Sequence, residues 1–409
     1  MIDSIMNRLM LVFAFLFGAM CCSKESDPEL DKASFVKIYD HNNFNASYLP
    51  IDIKQTPDGG YLILGQQLSD TTSNPSKLSE SYFSKVVILK VDQFGAFVSQ
   101  EIVSADKTNP IGPLLELNSN YYFFTMNPKN LQPQLNEMDS SGVINKTTSV
   151  GGSYPAAAAV DDGSFVLLSY DHVKKQSVVS TVSQSGSVLK SKGYSIGAGD
   201  AVEGPIIAHF NRTGRQFPFQ VGKSLNGQYF FNGFYQYTFS LVFTDISAVN
   251  PTGVVQGQQT NGGFSAVLTL DGNRYAAALF NFNDNFLLPN VSITPTAISS
   301  ITNLGGNTLP ELIPQANVKI ISATIEGREV ILFASTTRSK QIAIYGYEKS
   351  SGKFIKSRYL GFSNPFEIAS IISTADGGLA VCGTTYVAGR FPRICLFKLS
   401  KSEVANFFR

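Results

Sequence analysis

Tryptophan is absent from this chain of 409 residues, and histidine occurs only at His41, His172 and His209. The four cysteines (Cys21, Cys22, Cys382 and Cys395) never take a C-x-x-C spacing. A His/Cys metal site therefore has no pattern to rest on, and we expect neither metal nor cofactor. Charged residues make up 15% and the net charge is +1. That is well under the usual quarter, and nothing global recommends nucleic acid as a partner. Long apolar runs are missing too. Residues 9–20 form the longest run near the start, only twelve residues, whereas a helix needs about 20 to span a bilayer.

What is present points to strands. The chain has 43% apolar residues, 31 Phe, 17 Tyr and 34 Gly. Aromatic enrichment together with glycine favours pleated, half-buried strands joined by tight turns. No segment after the first twenty residues has a persuasive pattern for a helix longer than two turns.

The first segment reads as an address. The apolar run follows Arg8 and suits the core of an export signal. Next comes Cys21-Cys22-Ser23-Lys24-Glu25-Ser26-Asp27, which resembles a bacterial lipoprotein signal and the short acidic tag of Bacteroidota-type surface lipoproteins. Cys22 is the preferred lipidation site. Cys21 is the alternative, but it would put Met20 just before the cut. The resemblance implies a signal peptide over 1–21, a polar tether over 22–33 and one domain over 34–409. It also implies a membrane anchor in the outer membrane, at the cell surface or otherwise on the periplasmic side. An ordinary cleaved secretory signal is the competing reading.

One turn recurs seven times: at Asp58-Gly59, Asn118-Ser119, Asp162-Gly163, Asn226-Gly227, Asp271-Gly272, Glu326-Gly327 and Asp376-Gly377. The fullest copies are Thr56-Pro57-Asp58-Gly59-Gly60-Tyr61 and Thr374-Ala375-Asp376-Gly377-Gly378-Leu379. Pro57 presets a turn, Asp58 tolerates it, and Gly59 takes positive φ without a clash. A second turn ending in glycine follows in several repeats, at Gly95, Gly142, Gly186 and Gly352. Each repeat thus reads strand, tight turn, strand, looser link, strand, tight turn, strand. The expected fold is all-β: a β-propeller of seven four-stranded blades, with residues 34–39 completing the last blade and closing the ring. The blades would be 46–106, 107–152, 153–195, 217–259, 260–307, 308–362 and 363–409, with 196–216 inserted. An eight-bladed ring and an open β-solenoid are the alternatives. The paired phrases resemble the DGGY-type repeat propellers of secreted and lipid-anchored bacterial proteins, a family of unknown function. That resemblance implies fold and location but no catalytic residues.

In such a disc the irregular loops gather on the face opposite the tight turns, and function tends to reside in loops on a rigid scaffold. The insertion supplies Asp200, Glu203, His209, Arg212 and Arg215, and other loops add Arg338 and Arg390. These seven are the candidate ligand-binding residues. A carboxylate pair with a histidine can do acid–base work, but no motif fixes their geometry here. A solvated surface loop is the plain alternative. The aromatic run 229–237 reads as core before it reads as a sugar platform. Cys382 and Cys395 could face each other across a hairpin as a disulfide, or remain buried thiols. No Walker loop, Gly-x-Ser-x-Gly elbow or Ca²⁺ loop occurs. The expected function is a binding platform for a glycan, peptide or protein, more readily than an enzyme. The alternatives are a hydrolase or lyase acting on polysaccharide outside the cytoplasm, and a structural part of an envelope complex.

Overall fold

A computed structural model describes residues 34–40, 46–69, 83–362, 364–386 and 391–408. Cys21, Cys22 and Arg390 lie outside them. The described chain is nearly all β, in antiparallel groups that follow one another in sequence. The first group comprises Ala46–Gln55, Tyr61–Ser69, Lys85–Val91 and Phe97–Ile102. The second comprises Thr108–Leu117, Asn120–Met126, Pro133–Met138 and Ile144–Ser149. These two groups share one sheet through a single residue pair, Lys85 with Thr108. A third group runs from Pro155–Asp161 to Val188–Ser195, a fourth from Gln220–Lys223 to Gly253–Gln256, and a fifth from Gly262–Thr269 to Asn307–Thr308. A sixth runs from Val318–Ile325 to Phe354–Leu360. The last has Phe366–Ser373, Leu379–Thr385 and Arg393–Leu399, and its fourth strand is Phe35–Tyr39 from the other end of the chain.

Burial follows strand position. Thr238–Thr244 and Arg393–Leu399 are buried along their whole length. Both faces of such a strand meet a neighbouring group, so its apolar residues are not confined to alternate positions. Outer strands such as Phe97–Ile102 and Ile144–Ser149 are largely exposed and more polar. The apolar core is divided among the gaps between successive groups. Leu64 and Ile88 meet Tyr121 and Phe123 in one gap, and Leu332 and Ile344 meet Phe366 and Phe397 in another. Cys382 and Leu396 of the last group meet Ile63 and Leu89 of the first.

All seven predicted turns join the first and second strands of a group. The carboxylate of Asp58 accepts from Thr56 Oγ1 at 2.5 Å and from the Gly60 amide at 3.0 Å. Asp376 repeats this with Thr374 and Gly378 at 2.5 and 3.1 Å. The two glycines of each copy have different reasons. Gly59 and Gly377 have φ near +80°, where a side chain is strained. Gly60 and Gly378 lie so close to the third strand that a Cβ would come within 2.4 Å of Val91 O or 2.2 Å of Leu399 O.

Two expectations need correction, and the two readings of the cysteine pair are decided. The outer strand of the fifth group shrinks to Asn307–Thr308, while Ile298–Ser300 pairs in parallel with the fourth group. Two helices stand where none was expected, α1 (Asp200–Phe210) and α2 (Lys401–Phe408). Cys382 and Cys395 are free, buried thiols. The register pairs Cys382 with Leu396 and Cys395 with Gly383. This one-residue offset sends the two sulfurs to opposite faces of the sheet, where they join separate apolar clusters.

Candidate functional site

The inserted segment 196–216 is a plug rather than a solvated loop. Its helix α1 contains Gly204 and Pro205, both poor helix formers, and is held instead by what it buries. Val202, Ile206 and Phe210 share one cluster with Met126 of the second group, Tyr170 of the third, Phe234 of the fourth and Phe280 of the fifth. At the helix end the Phe210 carbonyl accepts from Asn109 Nδ2 at 2.7 Å. Asn109 also accepts from the amide and hydroxyl of Ser84 at 2.9 and 3.0 Å. One helix is thereby tied to five successive groups.

The predicted site residues separate along this plug. His209 is buried, with its ring centroid 4.9 Å from that of Phe219 and 5.2 Å from that of Phe210. Its Nδ1 accepts the Phe217 amide at 3.0 Å, so the neutral ring carries its proton on Nε2. Burial, followed by the charge of Arg212, holds this imidazole well below its usual range. Arg212 donates to Gln216 Oε1. Arg215 donates to the Thr260 carbonyl and lies 4.4 Å over the Phe280 ring and 4.9 Å over Phe217. Burial lowers both guanidinium values to about 10, which leaves them charged at neutral pH. These three residues hold the plug in place.

Glu203 lies at the other end of α1, where Asp200 starts the helix. Tyr170 OH donates to its Oε1 at 2.8 Å and Lys175 Nζ pairs with its Oε2. Burial would raise the carboxyl, but the bonds from Lys175 and Tyr170 outweigh it, and the net shift is downward. With both oxygens engaged, and His209 two turns away along the helix, the carboxylate has no histidine to work with. Arg338 belongs to a different place. It is exposed, its Nε donates to Pro310 O at 2.8 Å, and its amide donates to Glu311 O at 2.7 Å. The structure therefore brings together Asp200, Glu203, His209, Arg212 and Arg215 on one plug but not Arg338. Among the described residues no cluster of three His, Cys, Asp or Glu could hold a metal ion.

Beside α1 opens a cleft of about 490 Å³. Lys174 and Lys175 line it from the link between the second and third strands of the third group. Ser195 ends the outer strand of the third group, Glu203 comes from the insertion, and Gln236 and Tyr237 from the corresponding link of the fourth group. Gln236 and Tyr237 form the tightest of these links. Both have positive φ, 42° and 73°, and neither is glycine. Their amides donate to Ser195 O at 3.0 Å and Ile196 O at 2.8 Å, which holds the turn in that conformation. Of the lining residues, the sequence singles out Glu203 as a candidate but not Ser195, Gln236 or Tyr237. The signal was there: the apolar stretch 229–244 is too long for one strand and must turn inside.

No protein-family profile matches the chain, and no curated protein matches it by sequence. Solved structures do resemble it. The β-propeller domain of the trilobed protease from Pyrococcus furiosus has TM-score 0.47 and 7% identity, covering 88% of this chain and 97% of that one. The C-terminal WD40 domain of Sif2 has TM-score 0.43 and 10% identity, with 86% and 84% covered. A protein of unknown function from Bacteroides caccae has TM-score 0.36 and 11% identity, with 87% and 91% covered.

Proposed function

We propose that the chain is a seven-bladed β-propeller, closed by its N-terminal strand, that serves as a binding platform with its ligand seat in the cleft beside α1. The seven first-to-second-strand turns, together with the packing of the last group against the first, support the ring. Side-chain bonds between neighbouring first strands support it too. Gln220 bonds both the carbonyl and the amide of Val267, at 2.5 and 2.9 Å.

The observation that carries the functional reading is the cleft itself. It lies on the loop side, its volume is in the range of small-molecule sites, and it joins polar groups from two blades and the plug. The hydrolase or lyase alternative needs two carboxylates converging on one opening, and Glu203 is instead consumed by Tyr170 and Lys175. We further propose that the protein is an exported lipoprotein of the outer membrane, acylated at Cys22 or at Cys21, with the ligand supplied from outside the cell. A glycan and peptide array probed with the full chain tests the platform. Ligands whose binding is lost on Tyr237→Ala support it, and an array with no ligand removes it. Mass spectrometry of the mature N-terminus tests the anchor, because a start at Ser23 or later excludes acylation.

A further inference from the structure

We propose that the cleft beside α1 takes an acidic sugar, a hydroxyl-bearing saturated ring with a carboxylate. This rests on the platform reading above and names its ligand class. Charge is the first argument. Lys175 is neutralised by Glu203, whereas Lys174 is exposed and has no ion-pair partner among the described residues. The cleft therefore keeps one uncompensated positive charge, which suits the carboxylate of one sugar ring.

The second argument is the aromatic wall. Tyr237 is 48% exposed, and its ring lies against Gly197, where a Cβ would come within 2.7 Å of ring atoms. One side of the ring is thus seated on backbone while the rest opens to the cleft. Such a half-covered ring suits the C–H face of a sugar. The third argument is polar variety. Gln236 offers an amide that both donates and accepts, and Ser195 Oγ accepts from the Gly197 amide while keeping its own proton to donate. That mixture matches hydroxyls, which also do both. The positive φ of both Gln236 and Tyr237, in a turn with no glycine, marks the place where backbone strain is held by surrounding bonds.

Calorimetric titration of the full chain with digalacturonate, galactobiose and benzoate tests the proposal. Digalacturonate should bind, and galactobiose should bind at least about tenfold more weakly. Lys174→Glu should weaken digalacturonate by about tenfold or more, while Lys174→Arg should stay within about threefold of the parent. Tyr237→Ala should weaken both saccharides. Equal binding of the neutral and acidic disaccharides, indifference to Lys174→Glu, or tighter binding of benzoate would overturn it. If the array yields neutral or peptide ligands that Tyr237→Ala abolishes, the acidic-sugar proposal fails and the platform stands. If no ligand responds to either variant, the seat itself is misplaced.

Discussion

Asp52 and Ser370 are joined by a hydrogen bond of 2.5 Å across 318 residues of sequence. The other oxygen of Asp52 accepts the Leu114 amide at 2.8 Å. One buried carboxylate therefore holds the first strands of the last, first and second groups together. Removing it leaves a buried hydroxyl and a buried amide without partners. We expect Asp52→Ala to lower unfolding stability by about 3 kcal/mol, and Ser370→Ala by about 1 kcal/mol, because the latter removes only one bond. Chemical denaturation with matched m-values measures both. Equal losses would mean that the carboxylate does not act as the joint.

The repeated turn carries a buried lysine. Lys90 Nζ lies 2.9 Å from Asp58 Oδ1 and 2.5 Å from Thr56 Oγ1, and Lys398 Nζ lies 2.7 Å from Asp376 Oδ2. Both lysine side chains are nearly inaccessible while their aspartates are about half exposed. Deleting the acid strands a buried ammonium, whereas deleting the lysine leaves a carboxylate that water can reach. Asp376→Ala should therefore cost more stability than Lys398→Met, by about 1 kcal/mol after allowing for exposure. The same order should hold for Asp58 and Lys90. Thermal melts of the four variants decide the ranking.

His209 predicts an acid-sensitive plug. Its folded value is depressed, so between that value and the ordinary imidazole value of 6.5 the unfolded chain binds more protons than the folded one. The stabilisation is complete above about pH 6.5 and is lost as pH falls below it. Asp58, held at about 2 chiefly by its bond from Lys90, acts only at much lower pH. His209→Gln keeps an acceptor for the Phe217 amide and cannot titrate near neutrality. Its stability should change less than the parent's between pH 6.5 and 5. Parallel curves for the two proteins would exclude the imidazole as the cause.

A close backbone fit predicts how α2 can be released. A Cβ on Gly346 would come within 2.0 Å of Phe408. Gly346→Ala should expel Phe408 and expose the helix amides to exchange, while the sheet amides stay protected. Hydrogen exchange read by mass spectrometry over residues 401–408 reports this. Unchanged protection there would show that the helix can shift without leaving.

Much of the fold was legible in single residues. Asp58-Gly59 and Asp376-Gly377 announce their turns through local chemistry, and the glycine-ended second turns do the same. The site was less legible because its geometry is non-local. Arg215 and His209 read as loop polar groups, yet one lies over Phe280 and the other among Phe210, Phe217 and Phe219. Helix α1 contains glycine and proline and has little intrinsic preference for its form; packing on five groups decides it. The disulfide reading of the cysteine pair failed by one residue of register, a distance that counting along a hairpin does not resolve.

The partnership of Phe35–Tyr39 with Arg393–Leu399 has a consequence for biogenesis. Of the described strands, the one made first finds its partner only among those made last. Until then Val36 and Ile38 remain an unpaired edge, and the last group lacks its outer strand. Earlier groups can assemble as they emerge, since each is local in sequence, but the final one must wait for the ribosome to deliver residue 399. A chain stopped short of that point would keep both a free leading strand and an open first gap, the arrangement most prone to pairing with a neighbour.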